Sequence, residues 1–246
     1  MAESTTAKTE SKGFDFGKCL KDTFGAVKAV FVKPASEGAK AIDIKDPKAG
    51  WIKNAILLVT VEIINLINTV LGLIIVKTKS FSGFSSKGIS TETKVEFKFD
   101  NITSINYFEV IGKSLLMTAV FALVVAGVSY LVGMLMKKQA NIVKLAGAVL
   151  LGLIPMAVCG ILATLVALFW TEGAIFVTMA GLVFGLAIMI NIISKEMALE
   201  GDKLIFFHLA TILAVALVYY FVILKIDFFA EMLGIGELTA LLSMVM

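Results

Sequence analysis

The segment NAILLVTVEIINLINTVLGLIIV, residues 54 to 76, is the part of the sequence that decides the fold class. It is long enough to cross the hydrocarbon core of a bilayer, which takes about 20 predominantly apolar residues in a helix. Its apolar residues run continuously and do not alternate with polar ones, which disfavours a strand of a β-barrel. The segment therefore predicts a membrane-spanning α-helix, although it carries Glu62, Asn65 and Asn68.

The composition of the whole chain supports residence in a membrane. Hydrophobic residues make up 59% of the 246 residues and the mean hydropathy is +0.94, whereas soluble domains contain about 45–50% apolar residues. We therefore predict an all-α integral membrane protein whose membrane domain, residues 54 to 225, is a five-transmembrane-helix bundle. Its predicted spans are 54 to 76, 112 to 135, 145 to 169, 174 to 193 and 204 to 224.

The lysines in short loops predict the orientation of the chain. The turn after the second span, MKKQANIVK, has three lysines and the turn after the fourth, SKEMALEGDK, has two, whereas TEG after the third has none. In addition, 10 of the 22 basic residues lie in the first 53 positions. We therefore expect a cytoplasmic amino terminus and an external carboxyl terminus, in a bacterial cytoplasmic membrane. Six lysines between residues 77 and 113, on the external side in this topology, oppose the assignment.

The region before the first span is predicted to have two parts. Residues 1 to 13 have no apolar pattern and are typical of a disordered tail. Residues 14 to 53 form a cytosolic amphipathic and juxtamembrane region, with an apolar stripe at helical spacing and lysines away from it. We interpret the stripe as a lipid-facing anchor in the headgroup layer, and the alternative is that it docks on the protein's own loops. The stripe consists of Phe16, Leu20, Phe24, Val27 and Phe31.

Two further regions lie outside the predicted spans. The external connector, residues 77 to 111, alternates apolar and charged residues at Val95, Phe97 and Phe99, which predicts a β-strand in a small loop subdomain. A hairpin is expected to begin around residues 81 to 90. Residues 226 to 246 are too short and too charged to cross again, and we predict an external interfacial helix there.

The polar residues within the apolar spans suggest an intramembrane polar site. A charged side chain at mid-membrane costs about 2.5–3.5 kcal/mol on insertion scales, so Glu62 should face other helices. From the topology, Glu62, Asn191 and His208 can meet in the cytoplasmic half, while Asn65 and Thr69 continue the Glu62 stripe and Asn68 points elsewhere. The candidate site Glu62, Asn65, Asn191 and His208 is either an ion or substrate site or a set of interhelical hydrogen bonds.

Small residues within the third and fourth spans indicate close packing of helices. Gly181 and Gly185 have the GxxxG spacing, and Ala148 and Gly152 repeat it. Such spacing is common in apolar helices, so it indicates packing between helices more strongly than dimerisation of the chain.

Several classes of function are disfavoured by what the sequence lacks. All 22 basic residues are lysines, and without the planar fork of arginine we expect no nucleic-acid partner. Neither GxxxxGK[ST] nor HExxH occurs, no Cys/His cluster has metal-ligand spacing, and we expect no cofactor. Ser129 and His208 are the best nucleophile and base available, but GxSxG is missing. We predict no catalytic residue and a protein that is not an enzyme.

The layout of the chain resembles the Yip domain family of Ypt/Rab-interacting membrane proteins, particularly its bacterial members. The resemblance covers residues 24 to 225 and consists of the cytosolic amino-terminal segment, the element Phe31-Val-Lys-Pro34, five spans and the SKEMALEGDK turn. It implies a five-helix bundle with a cytosolic amino terminus. Eukaryotic members bind small GTPases and other family members, and help to organise or shape trafficking membranes.

These observations lead to two hypotheses of different classes. The first is a non-enzymatic membrane scaffold or organiser of Yip type, with membrane lipids as partners and homo- or hetero-oligomers with other membrane proteins. The alternative is a small transporter or permease subunit that uses the polar site around Glu62. Protection of the cell envelope is a third interpretation that the sequence leaves open.

Overall fold

A computed structural model describes residues 15 to 34, 46 to 85, 88 to 103 and 105 to 218, with the backbone alone for 76 to 85 and 88 to 94. The predicted tail 1 to 13, the end of the fifth span and the predicted helix 226 to 246 lie outside these residues. The described elements are α1 (Phe16–Val32), α2 (Pro47–Ile74), β1 (Ile75–Ser85), β2 (Gly88–Phe97), a 3₁₀-helix (Phe99–Ile102), α3 (Tyr107–Leu135), α4 (Ile142–Val166), α5 (Thr171–Glu196) and α6 (Asp202–Val218).

Within the described residues, four helices, α2 to α5, are long and apolar enough to cross a membrane. They correspond to the first four predicted spans. The fifth predicted span, 204 to 224, starts within α6, which is described as far as Val218, so this span stays a prediction.

Side-chain caps explain why α2 and α4 begin where they do. Asp46 accepts a hydrogen bond from the backbone N–H of Lys48 at 3.0 Å, and Pro47 occupies the first helical position. Asn141 accepts from the N–H of Val143 at 2.9 Å. Carboxylate and amide oxygens at this position satisfy amide groups that the first turn leaves unpaired. Helix α2 therefore begins well before the apolar run from residue 54.

Helix α4 is the centre of the bundle. It packs against both α2 and α5 along much of its length and also against α3, whereas α6 packs on α3. Leu145, Val149 and Ile154 of α4 are fully buried. Helices α2, α5 and α6 instead expose large apolar side chains at the surface of the bundle, as is required of surfaces that contact lipid tails.

The contact between α4 and α5 depends on glycines. A Cβ atom at Gly152 would lie 2.7 Å from the carbonyl oxygen of Gly185, and a Cβ at Gly185 would collide with the Gly152 carbonyl. A Cβ at Gly181 would meet the side chain of Cys159. The close packing predicted from the small residues is therefore present, and it joins two helices of the same chain.

Strands β1 and β2 form an antiparallel hairpin between α2 and α3. Their register runs from Ile75 opposite Phe97 to Ser85 opposite Gly88, with an irregularity between Phe81 and Gly83. The hairpin predicted in the connector is thus present, but it begins earlier, directly after α2. The expectation that residues 75 and 76 end the first span is wrong, because their backbones pair with residues 97 and 96.

Polar contacts gather three segments at one end of the bundle, which we call the lysine end: the start of α2, the α3–α4 turn and the α5–α6 turn. The amide of Asn54, near the start of α2, donates to the carbonyl of Val143 at 2.8 Å. Lys138 Nζ donates to the Ala198 carbonyl at 2.8 Å, and Lys144 lies 3.2 Å from the carboxylate of Glu196.

The opposite end, which we call the hairpin end, holds the hairpin, the 3₁₀-helix and the α4–α5 turn. Asn101 in the 3₁₀-helix donates to the carbonyl of Leu73 at 3.0 Å and so fixes this segment to the end of α2. The Tyr107 hydroxyl donates to the Ile102 carbonyl at 2.7 Å, which ties the 3₁₀-helix to the start of α3.

Candidate intramembrane polar site

Glu62 is buried in the middle of α2 and forms a hydrogen bond with α3. Its side chain is 7% exposed, and its Oε1 accepts a hydrogen bond of 2.5 Å from the Thr118 hydroxyl. It lies roughly 18 Å from the hairpin end of α2 at about 1.5 Å per residue. The sequence-based expectation that this carboxylate faces another helix is met, and the partner is a hydroxyl group.

A recess of about 440 Å³ lies beside this pair, between α2, α3 and α4. Its polar lining comes from Asn65 and Asn68 of α2 and from Thr118 of α3. Phe121, Leu153 and Met156 contribute much of the apolar lining, and we call the whole cavity the polar recess. Thr118 lines it and also contacts Glu62, so the carboxylate is one hydrogen bond away from the recess.

Asn68 is held in place by helix α4. Its Oδ1 accepts a hydrogen bond of 2.7 Å from the Thr164 hydroxyl, and a Cβ at Gly160 would lie 3.3 Å from its Nδ2. Thr69 is exposed, and its hydroxyl donates to the carbonyl of Asn65 in its own helix. The expectation that Thr69 continues the polar stripe while Asn68 points away is therefore wrong, since Asn65 and Asn68, three residues apart, share one face.

The other two predicted site residues lie elsewhere in the bundle. His208 Nε2 on α6 is 3.1 Å from the Ser194 hydroxyl on α5. Ser194 donates its proton to the Ile190 carbonyl, so its oxygen accepts from an Nε2–H group of His208. Asn191, also on α5, has a buried Oδ1 that makes no hydrogen bond within the described residues.

The predicted contact between Glu62, Asn191 and His208 does not form. Helices α2 and α5 pack on α4 and scarcely touch each other, so α4 separates Glu62 from Asn191. Helix α6, which carries His208, packs on α3. Equal depth in the membrane allowed the contact, but the order of helices around α4 prevents it.

Thr118 and Thr164 are functional candidates that the sequence analysis missed. Each occurs alone within an apolar run and looks like an ordinary small polar residue of a span. The signal that singled out Glu62, a hydrogen-bonding group at mid-membrane depth, applies to Thr118 as well. The sequence does not reveal how each helix is rotated about its own axis, and this rotation decides whether such a group faces lipid or protein.

Helix α1 has two adjacent apolar faces, of which one is buried against the bundle and the other is largely exposed. Thr23, Ala26 and Val30 are buried, and α1 packs through them on α2 and α4. The predicted anchor stripe lies next to this face: Phe16, Phe24 and Phe31 are 57%, 56% and 43% exposed, while Leu20 and Val27 are half-buried. The helix therefore docks mainly by a face that was not predicted. The ring of Phe31 also lies 6.5 Å from the ring of Phe184 on α5, whereas Phe16 and Phe24 remain at the surface.

The described residues form neither a metal site nor the pair of Ser129 and His208. None of their His, Cys, Asp and Glu side chains form a group of three or more that could hold a metal ion. Ser129, the nucleophile considered with His208, has a buried hydroxyl that makes no hydrogen bond in the described part of the chain, and His208 pairs with Ser194.

Comparisons with known proteins identify the family. No curated protein and no solved structure matches the chain. The family model of the Yip1 domain matches residues 28 to 224, which include α2 to α6 and the end of α1. This range covers most of the chain and agrees with the resemblance found over residues 24 to 225. The chain is therefore a membrane protein that belongs to the Yip1 domain family.

Proposed function

We propose that this protein is a non-enzymatic organiser of its membrane, which acts through contacts with lipids and with other membrane proteins. In this proposal the chain crosses the bilayer five times, with α6 continuing as the fifth span. The lysine end lies in the cytoplasm of a bacterial cell, and α1 lies in the headgroup layer of the cytoplasmic leaflet.

The observation that carries the proposal is the way α1 docks on the helix bundle of a Yip1 domain protein. Docking by Thr23, Ala26 and Val30 holds the helix against the bundle, while Phe16 and Phe24 on the adjacent face remain more than half exposed. Aromatic side chains beside lysines are typical of helices that lie at a membrane surface. A helix fixed to the bundle in this way would present a constant lipid-binding surface.

The arrangement of the turns supports the alternation of α2 to α5 in the five-span topology. In an alternating topology the α3–α4 and α5–α6 turns must lie on the same side as α1. The bond of Lys138 to Ala198 and the ion pair of Lys144 and Glu196 link these two turns directly. The lysines at this end favour the cytoplasmic side, and they would attract anionic lipids with about 1 kcal/mol for each lysine near the surface.

Energy transfer from Trp51 to labelled lipids tests the proposal. Trp51 lies in the first turns of α2 at the lysine end and is 45% exposed. Replacement of the other tryptophan, Trp170→Phe, leaves Trp51 as the single fluorescence donor. In vesicles, we expect stronger transfer to a labelled anionic lipid than to the same label on a neutral lipid. Phe16→Ser with Phe24→Ser should reduce the transfer to the anionic lipid at least twofold.

A matched pair on the same helix controls for the loss of two surface side chains. Lys21 and Asp22 are exposed on α1 outside the aromatic stripe, and Lys21→Ser with Asp22→Ser leaves the net charge unchanged. This control should keep most of the preference for anionic lipid. Equal transfer to both lipids in the unmodified protein, or specific solute uptake into the vesicles, would contradict the organiser function.

A further inference from the structure

We propose that the polar recess is a water-filled vestibule that admits small hydrophilic solutes from the hairpin end as far as Thr118 and Glu62. The recess lies between α2, α3 and α4, and its volume of about 440 Å³ gives room for on the order of ten water molecules. This property is independent of the proposed organiser function.

The amide groups of Asn65 and Asn68 in the recess are only partly hydrogen-bonded. The Asn65 side chain makes no hydrogen bond within the described residues, and only Oδ1 of Asn68 is bonded, to Thr164. In hydrocarbon, an unsatisfied polar group costs several kcal/mol because no water is present to replace the missing partner. Two amides on one face of a membrane helix therefore require hydrogen-bonding molecules in the adjoining space.

The polar groups of the recess lie at successive depths along the bundle. Asn68 lies six residues before Ile74, the end of α2, or roughly 9 Å from the hairpin end at about 1.5 Å per residue. Asn65 lies deeper, and Thr118 with Glu62 lies deeper still, near the middle of α2. The polar groups thus form a series that begins roughly 9 Å from the hairpin end and reaches the centre of the membrane.

A second, apolar cavity lies on the other side of Glu62. The same three helices line its volume of about 180 Å³ toward the lysine end, with Leu58, Ala122 and Leu150 among the lining residues. The amide of Asn54, which also lines it, is bonded to Val143. An apolar cavity stays dry, so this space gives water no path to Glu62. We therefore expect water to reach Glu62 from the hairpin end.

Cysteine modification by a charged, membrane-impermeant thiosulfonate reagent tests this proposal, because the reactive thiolate forms only where water is present. The full chain in vesicles, with Cys19→Ser and Cys159→Ala, is the background. We expect Asn65→Cys to react at least tenfold faster than Ile63→Cys and Ile67→Cys. These controls lie on the same helix at the same depth, and their side chains are 55% and 47% exposed on the outer surface.

A second variant and two markers make the result decisive. Ala157→Cys on α4 also lines the recess and changes the side chain little, so it gives the answer if Asn65→Cys fails to fold. Thr103→Cys marks the hairpin end and Gln139→Cys marks the lysine end, since both residues are exposed. Reaction of Ala157→Cys only from the side that modifies Thr103→Cys supports the vestibule. Rates equal to those of the Ile63 and Ile67 variants, or reaction from the Gln139 side, would overturn it.

Discussion

Asn54, Glu62 and Asn68 show how α2 places polar side chains among apolar helices. Each one bonds to a group on another helix: Asn54 to a backbone carbonyl, Glu62 to one hydroxyl and Asn68 to another. Such bonds contribute only about 0.6 kcal/mol on average, and at most about 1.7 kcal/mol, to the stability of a membrane bundle. Their main effect is to fix which face of α2 meets α3 and α4.

The bond between Thr118 and Glu62 predicts a coupling that a double-mutant cycle can measure. Thr118→Val keeps the shape of the side chain and removes the donor, so we expect the free energy of unfolding in mixed micelles to fall by about 0.6–1.7 kcal/mol. In a Glu62→Leu background the same change should cost close to nothing, because the acceptor is already absent. An equal cost in both backgrounds would mean that the hydrogen bond contributes no stability.

At the level of elements, the glycines at the contact between α4 and α5, which we call the seam, allow the two backbones to approach closely. Gly152 and Gly185 face each other, and Gly181 admits Cys159. Without side chains at these positions the two helices gain van der Waals contact along their length, which is the main attraction available between helices in lipid.

Gly185→Ala should therefore separate α4 from α5. The new methyl group would collide with the Gly152 carbonyl and would lie 2.6 Å from the side chain of Met156, so we expect a loss of about 1–3 kcal/mol in the free energy of unfolding. Gly127→Ala in α3 is the matched control, because nothing lies within 4 Å of a Cβ there. A loss as large for Gly127→Ala would show that helix flexibility, and not the seam, is responsible.

The docked face of α1 leads to a prediction about that helix alone. Ala26 is 4% exposed against the bundle, and Ala26→Leu adds bulk that the contact with α2 and α4 cannot accept. We expect the amides of α1 to exchange with solvent at least tenfold faster, while those of α4 keep their rates. Lys28→Leu, at an exposed position on the same helix, should leave the exchange of α1 unchanged; an equal increase for both variants would contradict docking by this face.

For the whole molecule, hydropathy and periodicity predicted the features that depend on one segment at a time. The four described spans and the hairpin belong to this group. The small residues indicated close packing of helices, but not that Gly152 of α4 would meet Gly185 of α5. The partner of Glu62 could not be predicted, because α3 and α4 are apolar on all sides and their sequences do not reveal which face meets α2. The same limit applies to α1, where Thr23 and Ala26 gave no sign that they form the docking face.

The five-span topology predicts an alternating pattern of accessibility for the whole chain. Gln139 and Glu200 are exposed in turns at the lysine end, whereas Thr103 and Glu172 are exposed at the hairpin end. In sealed vesicles with Cys19→Ser and Cys159→Ala, an impermeant thiol reagent should modify cysteines at positions 139 and 200 from one side, and at 103 and 172 from the other. A tag at the carboxyl terminus should share the side of Thr103, because a fifth crossing carries the chain back from the lysine end. A tag on the side of Gln139 would show that α6 turns back without crossing, and it would remove the fifth span from the fold.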